Sequence, residues 1–299
     1  MAKKTKEDDK KPAISFYKKQ KLRCPYCRKE FQREELLSGG GRMLAGELTD
    51  ELHRVFDPSP KFGKVYPILY SVGACPSCKA AFLWDDFYIE PEKDAIRVIN
   101  HSEAERKEAV KTIFPNYNVE EPRTLYDGAA MYYLALLCYE KMPSSYSPTI
   151  KKAMITLRLA WITKDLNIEC PNHGFDFISQ KFYRKALFFY EEAISFETER
   201  KESITGIGNF GPDIDKNYGY DGAIYLCGLL EYKFGQHENI NERLKKLDYD
   251  KRAIARVFGL GKSSKAKPGP LLEHSRNLYD NIATELKDAN TLDLNFSDI

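Results

Sequence analysis

Cysteine spacing constrains this chain more than any other feature. Two segments, Cys24-Pro25-Tyr26-Cys27-Arg28-Lys29-Glu30-Phe31 and Cys75-Pro76-Ser77-Cys78-Lys79-Ala80-Ala81-Phe82, share the pattern C-P-x-C-[K/R]-x-x-F. Two residues between thiols let the backbone turn tightly enough for both sulfurs to face one ion, and the proline fixes φ where the turn begins. Two such knuckles supply four thiolates, the donor set of a closed tetrahedral zinc site. We therefore expect Cys24, Cys27, Cys75 and Cys78 to hold one structural Zn²⁺. The phenylalanine four residues beyond each second cysteine is placed to keep the site dry, and the basic residue after each knuckle offsets its negative charge. A closed shell has no open position for water, so such a metal stabilises rather than catalyses. A β module with this little core needs the ion to fold. Thiol exchange also uses C-x-x-C, but two matched knuckles without a thioredoxin-like βαβ context favour metal.

The knuckles stand 47 residues apart, well beyond the ~15–20 of a compact ribbon. Gly39–Ser59 therefore reads as an insertion held at both ends by the metal. Within it Leu48, Leu52 and Val55 recur at helical spacing, which predicts a helix around Gly46–Phe56. His53 is a spare ligand by type, but a lone histidine on a charged helix is expected to be exposed. Of the other cysteines, Cys138 and Cys227 fall in apolar helical stripes and read as buried thiols. Cys170-Pro171-Asn172-His173 resembles half a knuckle without a second pair of ligands. The seven cysteines are odd in number and no export signal precedes them, which points to a reducing compartment and to metal rather than disulfides.

The first residues, Met1-Ala2-Lys3-Lys4-Thr5-Lys6, form no apolar leader, and the longest apolar stretch, Met131–Tyr139, is too short to span a bilayer. A cytoplasmic protein is expected. Net charge is only +2, but residues 1–29 hold eleven Lys/Arg against three Asp/Glu. That basic arm, residues 1–20, reads as a disordered lead-in rather than a nucleic-acid surface spread over the chain.

Four segments follow: the disordered arm (1–20), a zinc-ribbon-like module with insertion and connector (21–120), a helical domain (121–288) and a polar, fraying tail (289–299). From about Leu22 to Tyr88, short aromatic and β-branched runs broken by Gly and Pro read as strands. Beyond Pro122 the pattern changes to long amphipathic helices, over Thr124–Met142, Ser147–Leu166, Phe177–Glu199 and Tyr220–Lys233, then Asn239–Phe258 and Pro270–Lys287. Gly228, Tyr232 and Gly235 match the small-aromatic-break spacing of a first tetratricopeptide helix, and Ala186, Tyr190 and Ala193 that of a second. The expected fold is mainly α: a tetratricopeptide-like helical-hairpin array behind a small zinc-ribbon-like β module.

Two motifs mislead. Gly206-Ile207-Gly208-Asn209-Phe210-Gly211 fits G-x-G-x-x-G but lacks the strand before it and the helix within it that a dinucleotide site needs; it reads as a flexible loop. Gly261-Lys262-Ser263 ends like a phosphate loop whose first glycine would fall at Arg256. No nucleophile elbow and no H-E-x-x-H occur, and the five histidines are scattered.

With both halves in view, the chain resembles the bacterial family called domain of unknown function 2225 over roughly residues 21–285. Carrying the resemblance are Cys24-Pro25-Tyr26-Cys27 with Phe31, Tyr66-Pro67-Ile68-Leu69-Tyr70, Cys75-Pro76-Ser77-Cys78 with Ala80-Ala81-Phe82, Asp86-Phe87, the Gly228–Gly235 helix and the Leu271–Glu285 helix. The family usually has Gly-Tyr after the second cysteine pair, where this chain has Lys79-Ala80. The resemblance implies zinc and tetratricopeptide-like helices, and no established activity. The first functional expectation is a non-enzymatic cytoplasmic adaptor binding a protein or peptide partner through its helices. The second is a nucleic-acid-associated factor using the basic arm, with Phe16 and Tyr17, and the zinc ribbon. The third is an enzyme of unrecognised type.

Overall fold

A computed structural model describes residues 12–259 and 267–296, the stretch 290–296 by backbone alone. Three two-stranded antiparallel hairpins form the N-terminal part: β1 (Ser15–Arg23) with β2 (Glu30–Leu36), β3 (Leu44–Leu48) with β4 (Arg54–Asp57), and β5 (Val72–Ala74) with β6 (Ala81–Leu83). Helices follow: α1 (Trp84–Phe87), α2 (Lys93–His101), α3 (Glu103–Ile113), α4 (Leu125–Tyr139), α5 (Pro148–Glu169), α6 (Phe175–Thr198), α7 (Gly219–Phe234), α8 (Ile240–Phe258) and α9 (Gly269–Phe296). The chain is mainly α with a small N-terminal β part. Each cysteine knuckle is the turn of a hairpin. Arg23 pairs with Glu30 across the first, and Ala74 with Ala81 across the second.

The long helices begin where local chemistry dictates. Thr124 caps α4: its hydroxyl accepts the Asp127 amide at 3.1 Å while the Asp127 carboxylate accepts the Thr124 amide at 3.4 Å. Pro148 opens α5 at a position where no helical N–H is needed. Through most of its length α5 is buried on all sides, from Ile150 to Leu166, as a central helix must be. From α4 onward each helix packs against the next in sequence. Gly228 on α7 lies against α8: a Cβ there would stand 2.6 Å from Ile254 Cδ1. The buried core is continuous from Cys24 and Phe82 through Tyr139 to Ile254 and Ile282, with no break at residue 120.

Three expectations are corrected, and one unassigned stretch is filled. Ser15–Gln20 is strand rather than disordered arm, because β2 supplies the acids that neutralise it: Lys18 pairs with Glu35 at 2.8 Å and Lys21 with Glu30 at 3.8 Å. Residues 1–11 lie outside the described residues. The insert Gly46–Phe56 is the β3–β4 hairpin, not a helix. Leu52 sits at its tip with φ +58°, incompatible with a helix, and Tyr225 Oη donates to the Asp50 carbonyl at 2.7 Å, docking the tip on α7. An apolar spacing of four and three residues fits both structures, and this docking selected the hairpin. The connector holds two helices, α2 and α3, whose Ala95/Ile99 and Arg106/Val110 pairs face inward. Finally, the backbone of α9 stays helical to Phe296, through most of the expected tail.

Candidate metal centre

The two knuckles have the same backbone. In the first, the Cys24 amide donates to the Lys29 carbonyl and the Arg28 amide to the Cys24 carbonyl, both at 2.9 Å; in the second, the Cys75 amide donates to Ala80 at 2.9 Å and the Lys79 amide to Cys75 at 3.0 Å. Arg28 and Lys79, each directly after a second cysteine, both adopt left-handed conformations, with φ +65° and +56°. Such a position favours glycine, so a basic side chain here costs some turn strain. Arg28 is held by Glu90, and Lys79 Nζ donates to the Pro76 carbonyl at 2.7 Å.

This matched geometry brings all four sulfurs within 4.8 Å of one another, with Cys24 and Cys78 3.8 Å apart and Cys27 and Cys75 3.6 Å apart. A regular tetrahedron with a centre-to-sulfur distance of ~2.3 Å has edges of ~3.8 Å. The four residues thus fit a single tetrahedral ion, and their separations are far too long for S–S bonds. Protonation argues the same way. Hydrogen bonding to neighbouring sulfurs, reinforced by burial, pushes the Cys78 thiol up, and the Cys24 thiol is also raised. Bonds from Cys24 and Cys78 push Cys75 down instead. Four thiolates this close, three of them on buried residues, cannot all ionise without a cation among them.

The surroundings are dry and fixed. Phe82, four residues past Cys78, is buried and stacks on Tyr26 of the opposite knuckle at 5.0 Å; Phe31, its counterpart, meets Phe87 edge-on at 5.7 Å. Arg106, 1% exposed, spends its guanidinium on the Cys78 carbonyl at 3.2 Å and the Ile99 carbonyl at 2.6 Å. Helix α4 meets the second knuckle through Cys138, whose sulfur accepts the Ala81 amide at 3.4 Å, and through Tyr139, whose hydroxyl accepts the Leu83 amide at 3.1 Å. Burial raises the Cys138 thiol, as expected of a core cysteine. The first hairpin is joined separately to the segment leading into α4: the buried side chains of Glu34 and Arg123 pair at 3.1 Å, and Arg123 also donates to the Leu69 and Val72 carbonyls.

With this geometry in view, the comparisons with known proteins fall into place. The profile of the family described as "Uncharacterized protein conserved in bacteria (DUF2225)" matches residues 16–282. The chain belongs to this family. A protein of Borreliella burgdorferi described as "Uncharacterized protein" is 40% identical over 275 residues, covering 92% of this chain and 98% of its own length. No solved structure matches.

Other sequence candidates of this DUF2225 chain lie away from the sulfur cluster. Cys227 is buried in α7. Cys170 ends α5 and His173 Nδ1 contacts the Pro171 carbonyl at 3.0 Å; they join no third ligand among the described residues. The glycine-rich loop is pinned, not free. Buried Arg158 donates to the Pro212 carbonyl at 2.8 Å and to the Gly211 carbonyl at 3.1 Å. Gly261–Ser263 lies outside the described residues.

His53, expected to be exposed on a helix, is neither exposed nor helical. It sits in the β3–β4 turn, half-buried, with its ring stacked on Trp161 at 4.1 Å and Nδ1 2.5 Å from Asp213 Oδ2. The two residues are 160 apart in sequence, and no local pattern links them. Among the described residues no helix is long and apolar enough to cross a membrane.

Proposed function

We propose that DUF2225 proteins such as this one are non-enzymatic cytoplasmic adaptors: one structural Zn²⁺ on Cys24, Cys27, Cys75 and Cys78, and a tetratricopeptide-like helical array that binds a protein or peptide. The observation that carries the zinc assignment is the closed cage of four sulfurs at tetrahedral separations, built from two identical knuckles. Zinc suits it because thiolate cages of this geometry are its preferred structural sites. All four positions belong to the protein, so the ion ties β1–β2 to β5–β6 and leaves no place for substrate.

The helical half supplies the recognition surface. Tyr132, Tyr139, Phe189 and Tyr190 are buried in the core, whereas Phe188 on α6 is 56% exposed and Phe177, three turns earlier, is also exposed. Exposed aromatics on one helix face are the usual anchors of a protein interface. The tetratricopeptide-like reading rests on helices that pack in sequence order and on the close approach at Gly228. The nucleic-acid reading is the weaker alternative, since Lys18 of the basic arm, and Lys21 just beyond it, are engaged by acids of β2.

The test is elemental analysis of the purified chain followed by affinity capture with and without nuclease. One zinc per chain and a nuclease-resistant partner lost on F188S support the adaptor. Absence of bound zinc overturns the metal assignment, and recovery that collapses with nuclease overturns the adaptor.

A further inference from the structure

Four thiolates around one Zn²⁺ leave two negative charges in excess. With Cys24, Cys75 and Cys78 buried, water cannot fully screen them. The chain offers Arg28 and Lys79, one behind each knuckle, as counter-charges. Only Lys79 remains free for that role. It is half-buried, donates to the Pro76 carbonyl at 2.7 Å and pairs with no carboxylate among the described residues. Arg28 is exposed, and its guanidinium is held by Glu90. One positive charge is therefore missing beside the cage.

A cation without an acid of its own lies against the second knuckle. Arg106, buried on α3, donates only to neutral oxygens: the Ile99 carbonyl at 2.6 Å, the Ser102 hydroxyl at 2.5 Å and the Cys78 carbonyl at 3.2 Å. Its Nε is buried with no hydrogen-bond partner. The acids beside it on α3 are engaged elsewhere, Glu103 by Lys107 at 2.5 Å and Glu105 by Lys141 at 3.1 Å. A guanidinium keeps its proton in a protein, so this charge is permanent. Burying a charge with no opposite charge close by is strongly destabilising. Arg106 lacks a counter-ion, and a metal-loaded cage lacks a second cation. Each is what the other requires.

We propose that Arg106 is the counter-ion of the metal cage: together with Lys79 it offsets the two excess negative charges, and its charge sets how tightly the four cysteines hold Zn²⁺. This inference rests on the zinc reading above. Arg106 touches the Cys78 backbone and not the ion, so it is a positioning residue, and its charge matters more than its one hydrogen bond to the knuckle. Groups just outside the ligand shell commonly tune metal affinity by about ten- to a hundredfold. Two flanking cations also match a divalent ion, since a trivalent one in the same cage would leave one of them in excess.

The test is the zinc affinity of the full chain under reducing conditions, read by competition with a chromophoric chelator. R106Q keeps a donor but loses the charge, whereas R106K keeps the charge but loses the guanidinium fork. R106Q should bind zinc about tenfold or more weakly, and R106K should stay closer to the wild type than to R106Q. A second route leaves Arg106 in place. S102D sets a carboxylate where Arg106 already meets a hydroxyl, giving it an acid of its own. It should bind zinc about tenfold more weakly than the neutral, equal-sized S102N. That pair decides alone should R106Q fail to fold. R106K as weak as R106Q, S102D as tight as S102N, or unchanged affinity throughout overturns the proposal. A wild-type chain that takes up no zinc overturns the metal assignment itself, and this proposal with it.

Discussion

The β1–β2 and β5–β6 hairpins and the β3–β4 hairpin solve one problem in two ways. Two strands alone are marginal in water. In the first two hairpins the turns carry cysteine pairs that converge on a common centre. The third has no cysteine and is docked on helices by side chains: Tyr225 on Asp50, Trp161 and Tyr183 on Glu51, and His53 on Asp213. The first solution concentrates stability in one point. The second distributes it over many contacts from α5, α6, α7 and the Arg158-anchored loop.

The difference can be broken from either side. The largest effect is expected for C75S/C78S, which should abolish metal content and expose the amides of β1, β2, β5 and β6 to rapid hydrogen exchange. Helices α5–α8 should keep their protection and far-UV signal, and a simultaneous collapse of both would show that the ion organises the whole chain. Next comes E34A. It leaves Arg123 buried without its counter-ion, and breaking such a pair costs roughly 3–5 kcal/mol. Calorimetric melting measures this, and zinc retained at a lower melt would show that the clamped hairpins also rely on their contact with Arg123.

A smaller loss, on the order of 1–3 kcal/mol, is expected for E51A, because Trp161 Nε1 and Tyr183 Oη lose their acceptor. Hydrogen exchange should rise in β3 and β4 while metal content stays unchanged. Falling metal content would merge the two modes of attachment. The smallest effect lies in the helices, as a control independent of all three hairpins. Asp250 is buried against Lys246, with Oδ2 unpartnered. Burial, opposed by Lys246 and supported by Glu231 and Glu191, raises its carboxyl to about 6. An acid raised on folding destabilises the native state as pH climbs from its unfolded value toward 6, with the full cost above that. D250N should therefore stabilise the chain by about 1–2 kcal/mol at pH 7.5 and by nothing near pH 3.5, read from thermal melts at both pH values.

The cysteine cage was legible because its signal is local: C-P-x-C fixes a turn by itself, and a second copy supplies the matching pair. The long helices were legible for a similar reason, since Thr124 and Pro148 mark their starts within a few residues. Strand β1 was not, because its lysines become compatible with a sheet only when Glu30 and Glu35 lie opposite. The β3–β4 hairpin was misread for a deeper reason. Leu48, Leu52 and Val55 carry a helical period, and the contacts that override it come from residues more than a hundred positions away. The burial of His53 was illegible on the same ground, since Asp213 and Trp161 lie more than a hundred positions away.

The sulfur pairs at the two outer turns also bear on how such a chain can change over generations. Each doubling of a flexible loop adds only about 0.6 kcal/mol to the entropy of joining its ends. A Zn²⁺ on the four sulfurs would close a ring over the stretch between Cys27 and Cys75, so a few residues added to or removed from the exposed Gly39–Gly41 turn within it would change the entropy of closure little.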